Sequence, residues 1–378
     1  MIDTVKKNNI LIVSNTFPAH DTNAGDWRIY CLCRELAVQH TVYFLSLAFL
    51  WDGFRYIDDL RKLGVRIVQP GYKNIYDFPH LLKCGKFQAI IFEWFDTAQH
   101  FIKYFPLCQN VIIDTHELFY LKESRRNAIQ GTLNSSNNQR ETKKKELDVY
   151  RLADTLIAIS EEEKIVLHKE LPRKKIIVVP TWCHIPPKTQ QVPFENRKDI
   201  VFFASFYNSE QVDAVKYFIE QCMPLLRAKL PDVVFHIAGD RSSIINDLLT
   251  SGQYRKNIFI DGRVGDINSY LSRFRVFICP LRYGAGLKKK ILDAVVAGCP
   301  IVSTRRGLDG INLVSGKDVL IGAGPNDIIK KICMAYSDKE LWLALSHNSL
   351  EKIKKYYPYG KGLKQLEECL TGRQDHAL

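Results

Sequence analysis

A chain of 378 residues is about twice the length of a typical domain, which points to two domains. Its 46% hydrophobic and 25% charged residues are ordinary for a globular protein and exclude disorder on a large scale. The formal charge of +12 leaves nucleic acid, an anionic membrane or a phosphorylated substrate as partners. No zinc finger or aromatic-interleaved basic signature accompanies the basic clusters, so nucleic acid is not expected. Ten cysteines lie mostly inside apolar runs without zinc-site spacing, as expected of reduced core residues in a reducing compartment. The longest apolar stretch, residues 42–51, is interrupted by Ser46 and is far short of the ~20 residues of a membrane span. The short run 10–13 after Lys6 and Lys7 is a first strand rather than a secretory signal.

In chain order, residues 9–14 (Asn-Ile-Leu-Ile-Val-Ser) form a strand, 28–38 have helical spacing, and 41–47 return to strand character. Further short strands are expected at 65–68, 89–92, 111–113 and 155–159. The polar stretch 127–138 lacks periodicity and is expected as a surface loop, inside a basic segment, 122–145, that carries seven basic residues against two acidic ones. Ser160 and Glu163 make a helix capping box. The Pro-rich stretch 180–193 is the linker. Strand and helix then alternate again: strands at 200–203, 233–238, 258–260, 276–279, 301–303 and 319–321, and a helix over 212–230. Helices at 339–355 and 363–370 close the chain. Such alternation implies parallel α/β units.

The densest chemical signal is Pro280-Leu-Arg-Tyr-Gly-Ala-Gly-Leu-Lys-Lys-Lys-Ile-Leu-Asp293, followed by Gly298-Cys-Pro300. A strand ends, a loop with Gly284 and Gly286 follows, and a helix is expected over 287–297. Glycines let the backbone approach a ligand, and a helix N-terminus offers free N–H groups to phosphate. Lys288 and Lys290 in the first turn oppose the helix dipole, a placement that a bound anion would explain. Asp293, one to two turns further in, is placed to accept hydrogen bonds from ribose hydroxyls. The alternative is a surface helix with lysines on its wet face. In the first half, His116 follows a buried strand beside Asp114 and Glu117. A lone histidine there is commonly structural, but the C-terminal end of a parallel strand is where such sheets bind ligands.

The run from Gly284 through Lys288, Lys290 and Asp293 to Gly298, Pro300 and Gly307-Leu-Asp309-Gly310 resembles the donor-site signature of retaining GT-B glycosyltransferases of family 4. That motif has two acids separated by seven residues. Asp293 stands for the second, and the first is absent, with Gly284 near its place. The resemblance extends to Asp21–Arg28, with Gly25 as the close-contact position of a loop near the donor diphosphate, and to Asp114-Thr-His116. It also covers the start of the second domain at residues 202–206, where the basic residues usual just after the strand are missing.

The resemblance implies an α/β protein of the GT-B class: two Rossmann-like domains with parallel sheets facing across a cleft, and a C-terminal helix crossing back to the first domain. The expected domains are 1–182 on the acceptor side, 183–345 binding a nucleotide sugar, and 346–378 packing back. The implied site is His116 as catalytic residue, with Gly25, Arg28, Arg282, Gly284, Gly286, Leu287, Lys288, Lys290 and Asp293 as donor contacts. No metal or other cofactor is expected, because lysines and a helix dipole can neutralise a leaving diphosphate. The expected partners are a nucleotide-sugar donor and a glycan or lipid-linked acceptor, with peripheral contact to an anionic membrane from the cytoplasmic side. Two other functions fit the same sequence: a nucleotide-sugar epimerase with this fold, and a catalytically silent subunit of a polysaccharide assembly complex.

Overall fold

A computed structural model of the chain describes residues 8–48, 54–68, 77–131, 136–185, 192–249 and 256–370. Parts of the expected loop 127–138 and linker 180–193 lie outside the described residues. The chain forms two compact units. The first comprises Met1–Tyr120, Leu133–Trp182 and Gly360–Leu378; the second comprises Leu121–Thr132 and Cys183–Tyr359.

The first unit is built on seven strands: β1 (Asn9–Ser14), β2 (Thr41–Ser46), β3 (Arg66–Val68), β4 (Ala89–Glu93), β5 (Val111–Asp114), β6 (Thr155–Ala158) and β7 (Lys175–Val178). Their order is β3-β2-β1-β4-β5-β6-β7, and every pairing is parallel. Helices cover both faces of a parallel sheet, so its strands are apolar along their whole length rather than alternating. Accordingly Ile10, Leu11, Ile12 and Val13 of β1 are all fully buried. β7 is not among the expected strands, because its four residues run straight into the Pro-rich stretch and resemble the start of the linker.

The second unit holds six parallel strands: β8 (Lys198–Phe203), β9 (Phe235–Ala238), β10 (Ile258–Gly262), β11 (Phe274–Cys279), β12 (Ile301–Ser303) and β13 (Leu320–Ile321). Their order is β10-β9-β8-β11-β12-β13. Both sheets therefore reverse direction beside their first strand, between β1 and β4 and between β8 and β11. Ligands of such sheets bind outside the carboxyl ends of the strands at this switch point.

Three expectations need correction. The helix expected over 212–230 is broken into Ser209–Tyr217 and Met223–Lys229 by a π-helical turn, Phe218–Cys222. Pro224 explains the break, since it has no N–H and its ring crowds the carbonyl four residues back. The stretch 127–138 is flanked by helices Phe119–Gln130 and Ser136–Leu152, so most of it is helical. The C-terminal segment leaves the second unit after Tyr359 rather than at 346. Helix Lys339–Tyr356 buries Trp342, Leu345 and Ile353 there, with the Trp342 indole donating to the Arg275 carbonyl at 2.7 Å.

The last described helix, Leu363–Leu370, belongs to the first unit and buries Leu366, Cys369 and Leu370. The Trp182 indole donates to the Lys361 carbonyl at 2.8 Å, and the Asn110 amide to the Cys369 carbonyl at 2.8 Å. Gly362, at φ +81°, lies so close to β7 that a Cβ would stand 2.5 Å from the Val178 carbonyl. All ten cysteines are free thiols, seven of them buried. Among the described residues no helix is long and apolar enough to cross a membrane.

Candidate active site

In the first unit the switch point gathers residues from three loops. The loop after β1 ends in helix Ala24–Gln39, whose first turn is capped by Asn23 accepting from the Asp26 N–H at 2.9 Å. Gly25 is its second residue. A Cβ there would stand 3.0 Å from Trp94 and 3.6 Å from His116 Nδ1, so the missing side chain makes room for both rings. Trp94 and His116 stack with centroids 4.0 Å apart. Both have positive φ, +73° and +55°. Non-glycine residues held there are strained by roughly 1–3 kcal/mol and gather at functional sites.

His116 is 4% exposed, and its Nε2 lies 2.5 Å from Glu93 Oε2 at the end of β4. Glu93 is fully buried, and its second oxygen has no hydrogen-bond partner among the described residues. Burial, then the negative charge of Asp114, pushes the Glu93 carboxyl above its usual range. Asp114 ends β5 and is held by a two-pronged fork from Arg28, at 2.8 and 3.1 Å. This places Arg28 differently from the expected donor contact. It is 4% exposed and its guanidinium is engaged by Asp114, a partner that a ligand would have to replace.

Sequence reasoning missed Glu93 and Trp94. The signal was available, because a carboxylate ending the wholly apolar run Ala89–Phe92 must be buried and must therefore have a partner. Among the described residues Glu93, Asp114 and His116 are the one group whose potential metal-ligand atoms lie within 4.8 Å of one another. Asp114 already faces the Arg28 cation, and one Glu93 oxygen already faces His116.

In the second unit the switch point is formed by the loops after β8 and β11. The loop after β11 carries Gly284 and Gly286 at φ +138° and +68°, conformations that side chains resist. It leads into helix Lys289–Val296, two residues later than expected. Lys288 is the N-cap and is buried. Its ammonium bends back onto the Ala285 and Gly286 carbonyls. Lys290 reaches the other loop and donates to Gln211 in helix Ser209–Tyr217, with its ammonium 4.7 Å from the Phe202 ring. Burial pushes Lys290 down to about 8. Leu287 packs inward, 7% exposed.

Two expected donor contacts are engaged elsewhere. Arg282 forks onto Asp213, one prong at 2.9 Å. Asp293 accepts from Lys289 at 2.6 Å, one helical turn away. The structure thus brings Gly284, Gly286, Lys288 and Lys290 together, and gives Arg282 and Asp293 partners that a ligand would have to replace.

Helix Phe119–Gln130 adds two residues of the basic segment 122–145, which is expected from sequence to face an anionic acceptor or membrane. Arg125 donates to the Gly284 carbonyl at 2.6 Å and to Asp309 at 2.8 Å. Lys122 lies 3.1 Å from Glu210. Neither contact carries a signal in sequence, since each joins residues more than eighty positions apart.

Residues 197–338, which span all of β8 to β13, match the family model described as Glycosyl transferases group 1. No curated protein matches the chain by sequence. Among solved structures, TarM has a TM-score of 0.74 at 10% identity, covering 98% of this chain and 100% of its own. Sucrose-phosphate synthase from Thermosynechococcus elongatus gives 0.73 at 12% identity, with 96% and 98% covered. Anabaena HepE in complex with UDP and glucose gives 0.68 at 13% identity, with 96% and 99% covered. The two parallel sheets and these neighbours define the class: the chain has the GT-B fold of glycosyltransferases. The match to the glycosyl transferases group 1 model falls in the second unit, with the glycine loop and both lysines inside it.

Proposed function

We propose that this protein is a retaining glycosyltransferase that moves a sugar from a nucleoside diphosphate to a hydroxyl of a glycan or lipid-linked acceptor, without a metal ion. The observation that carries this is the loop after β11. Two positive-φ glycines at the switch point lead into a helix N-terminus flanked by Lys288 and Lys290, within the segment that matches the group 1 family. Free N–H groups and two ammonium groups stabilise the negative charge that develops on the diphosphate as the glycosidic bond breaks. The UDP bound to Anabaena HepE supports a nucleotide as ligand for this fold. Gly25 is assigned to the donor diphosphate and His116 to the reacting step, with Glu93 holding the imidazole. Retention of configuration follows from the sequence resemblance, and the basic segment 122–145 supports peripheral contact with an anionic membrane from the cytoplasmic side.

Incubation with a panel of nucleotide sugars and oligosaccharide or polyprenyl acceptors tests the reading. Transfer to acceptor, unaffected by EDTA, is expected, with the product anomer matching the donor by NMR. Loss of transfer in EDTA and recovery with Mg²⁺ or Mn²⁺ would overturn the metal-free assignment. Isomerised donor in the absence of acceptor would point to an epimerase instead.

A further inference from the structure

Glu210 stands in the first turn of helix Ser209–Tyr217 and is 5% exposed. One carboxylate oxygen faces Lys122 at 3.1 Å. The other, Oε2, is buried and has no hydrogen-bond partner among the described residues. A buried carboxylate oxygen without a donor is costly, and a site that keeps one has it ready for a donor from outside. Its surroundings say what that donor is. The Glu210 side chain borders Gly284: a Cβ on that glycine would meet Glu210 Cγ at 4.0 Å and Lys288 Nζ at 3.4 Å. Gln211, the next residue, receives Lys290. The carboxylate therefore sits at the edge of the same loop as the lysines assigned to the diphosphate.

Phosphate oxygens are acceptors and carry charge that Glu210 repels, so they go to the lysines. A metal cation is disfavoured by the Lys122, Lys288 and Lys290 ammonium groups around the carboxylate. Neutral hydroxyl groups are donors and suit the free oxygen. A nucleotide sugar has hydroxyls on both sides of its phosphates; the ribose is assigned to Asp293, which leaves the hydroxyls of the transferred sugar for Glu210. Sequence alone gives no hint of this role, because Glu210 lies outside the glycine–lysine motif and looks like an ordinary acid in a helix first turn.

We propose that Glu210 is a sugar-reading residue: its free oxygen accepts hydrogen bonds from hydroxyls of the transferred sugar and selects the donor by them. This rests on the donor-site reading above and goes beyond it by separating sugar recognition from diphosphate recognition within one loop pair. A hydroxyl bound to a carboxylate discriminates strongly, since a donor lacking it leaves the buried oxygen unpaired again.

Calorimetry on the full chain tests this with matched ligand pairs: UDP with UDP-glucose and UDP-N-acetylglucosamine, GDP with GDP-mannose, and ADP with ADP-glucose. For the pair that wild type binds, Glu210→Gln keeps the shape and an acceptor for Lys122 but removes the charge. The nucleotide sugar is expected to bind ten- to hundred-fold more weakly to this variant. The bare diphosphate is expected to bind within twofold of wild type or somewhat more tightly, because a repelling charge has gone. Glu210→Ala, checked for an unchanged melting profile, should give the same split. Equal losses for diphosphate and nucleotide sugar would make Glu210 a structural partner of Lys122 and overturn the proposal, as would unchanged affinity for both. Failure of wild type to bind any pair would overturn the donor-site reading itself, which the diphosphate arm reports separately.

Discussion

At the scale of single residues, the site depends on charged groups held where water would not leave them. His116 stacks on Trp94 and meets a buried Glu93. If that pair serves the reacting step, His116→Ala should lower kcat about 100-fold while donor affinity stays nearly intact, the pattern of an interaction made mainly in the transition state. Steady-state kinetics reads it, and normal turnover would make the histidine structural. Lys290 permits a sharper check, because burial holds it near 8 instead of 10.5. A diphosphate beside the ammonium raises that pKa again, so binding takes up a proton above pH 8. Affinity for the nucleoside diphosphate should therefore fall several-fold between pH 7.5 and about 9.5. Calorimetry in two buffers of different ionisation heat measures the uptake, which Lys290→Met should abolish.

At the scale of elements, one acid holds Phe119 and Tyr120, the first residues of the helix Phe119–Gln130. Glu146, buried on helix Ser136–Leu152, accepts the backbone N–H groups of Phe119 and Tyr120 at 3.1 and 2.8 Å, and the Tyr150 hydroxyl at 3.0 Å. Burial nonetheless pushes it up to about 7 from 4.5, with nearby Glu163 adding to the rise. A raised carboxyl contributes stability that is complete below its unfolded pKa, near 4.5, and lost as pH rises through 7. At 1.36 kcal/mol per unit, the loss is about 3 kcal/mol. Glu146→Gln should flatten the pH dependence of unfolding between pH 4.5 and 8 by that amount, measured by urea titration at each pH. An unchanged slope would show that the acid remains charged and that its hydrogen bonds outweigh its burial.

At the scale of the whole molecule, the chain's end completes the unit in which it began. Helix Leu363–Leu370 buries two leucines and a cysteine, and Glu367 meets His40 at 2.6 Å. Burying a leucine contributes about 1.5–3 kcal/mol, so removing residues 360–378 should destabilise the first unit by roughly 3–6 kcal/mol. For a unit of this size that lowers a melting transition by about 10 °C or more. Differential scanning calorimetry checks it, with Leu366→Ala as a milder version costing about 2–5 kcal/mol. A truncated chain melting like the full one would mean that the helix adds little to the unit.

Sequence by itself determined what depends on neighbours along the chain. Continuous apolar runs such as Ile10–Val13 have to be strands covered on both faces, and among the described residues twelve of the thirteen strands were legible from such runs. The glycine pair ahead of a lysine-rich helix start was equally local, because backbone freedom and helix-end polarity are properties of a few consecutive residues. Partnership depends on distance in space, and only the tertiary structure decided it. Arg28 and Asp114, Glu93 and His116, Lys290 and Gln211, and Lys122 and Glu210 are separated by 86, 23, 79 and 88 positions. A charged side chain in sequence shows only that it needs a partner or water, whereas the fold sets which carboxylate an arginine meets and which buried oxygen is left for a ligand.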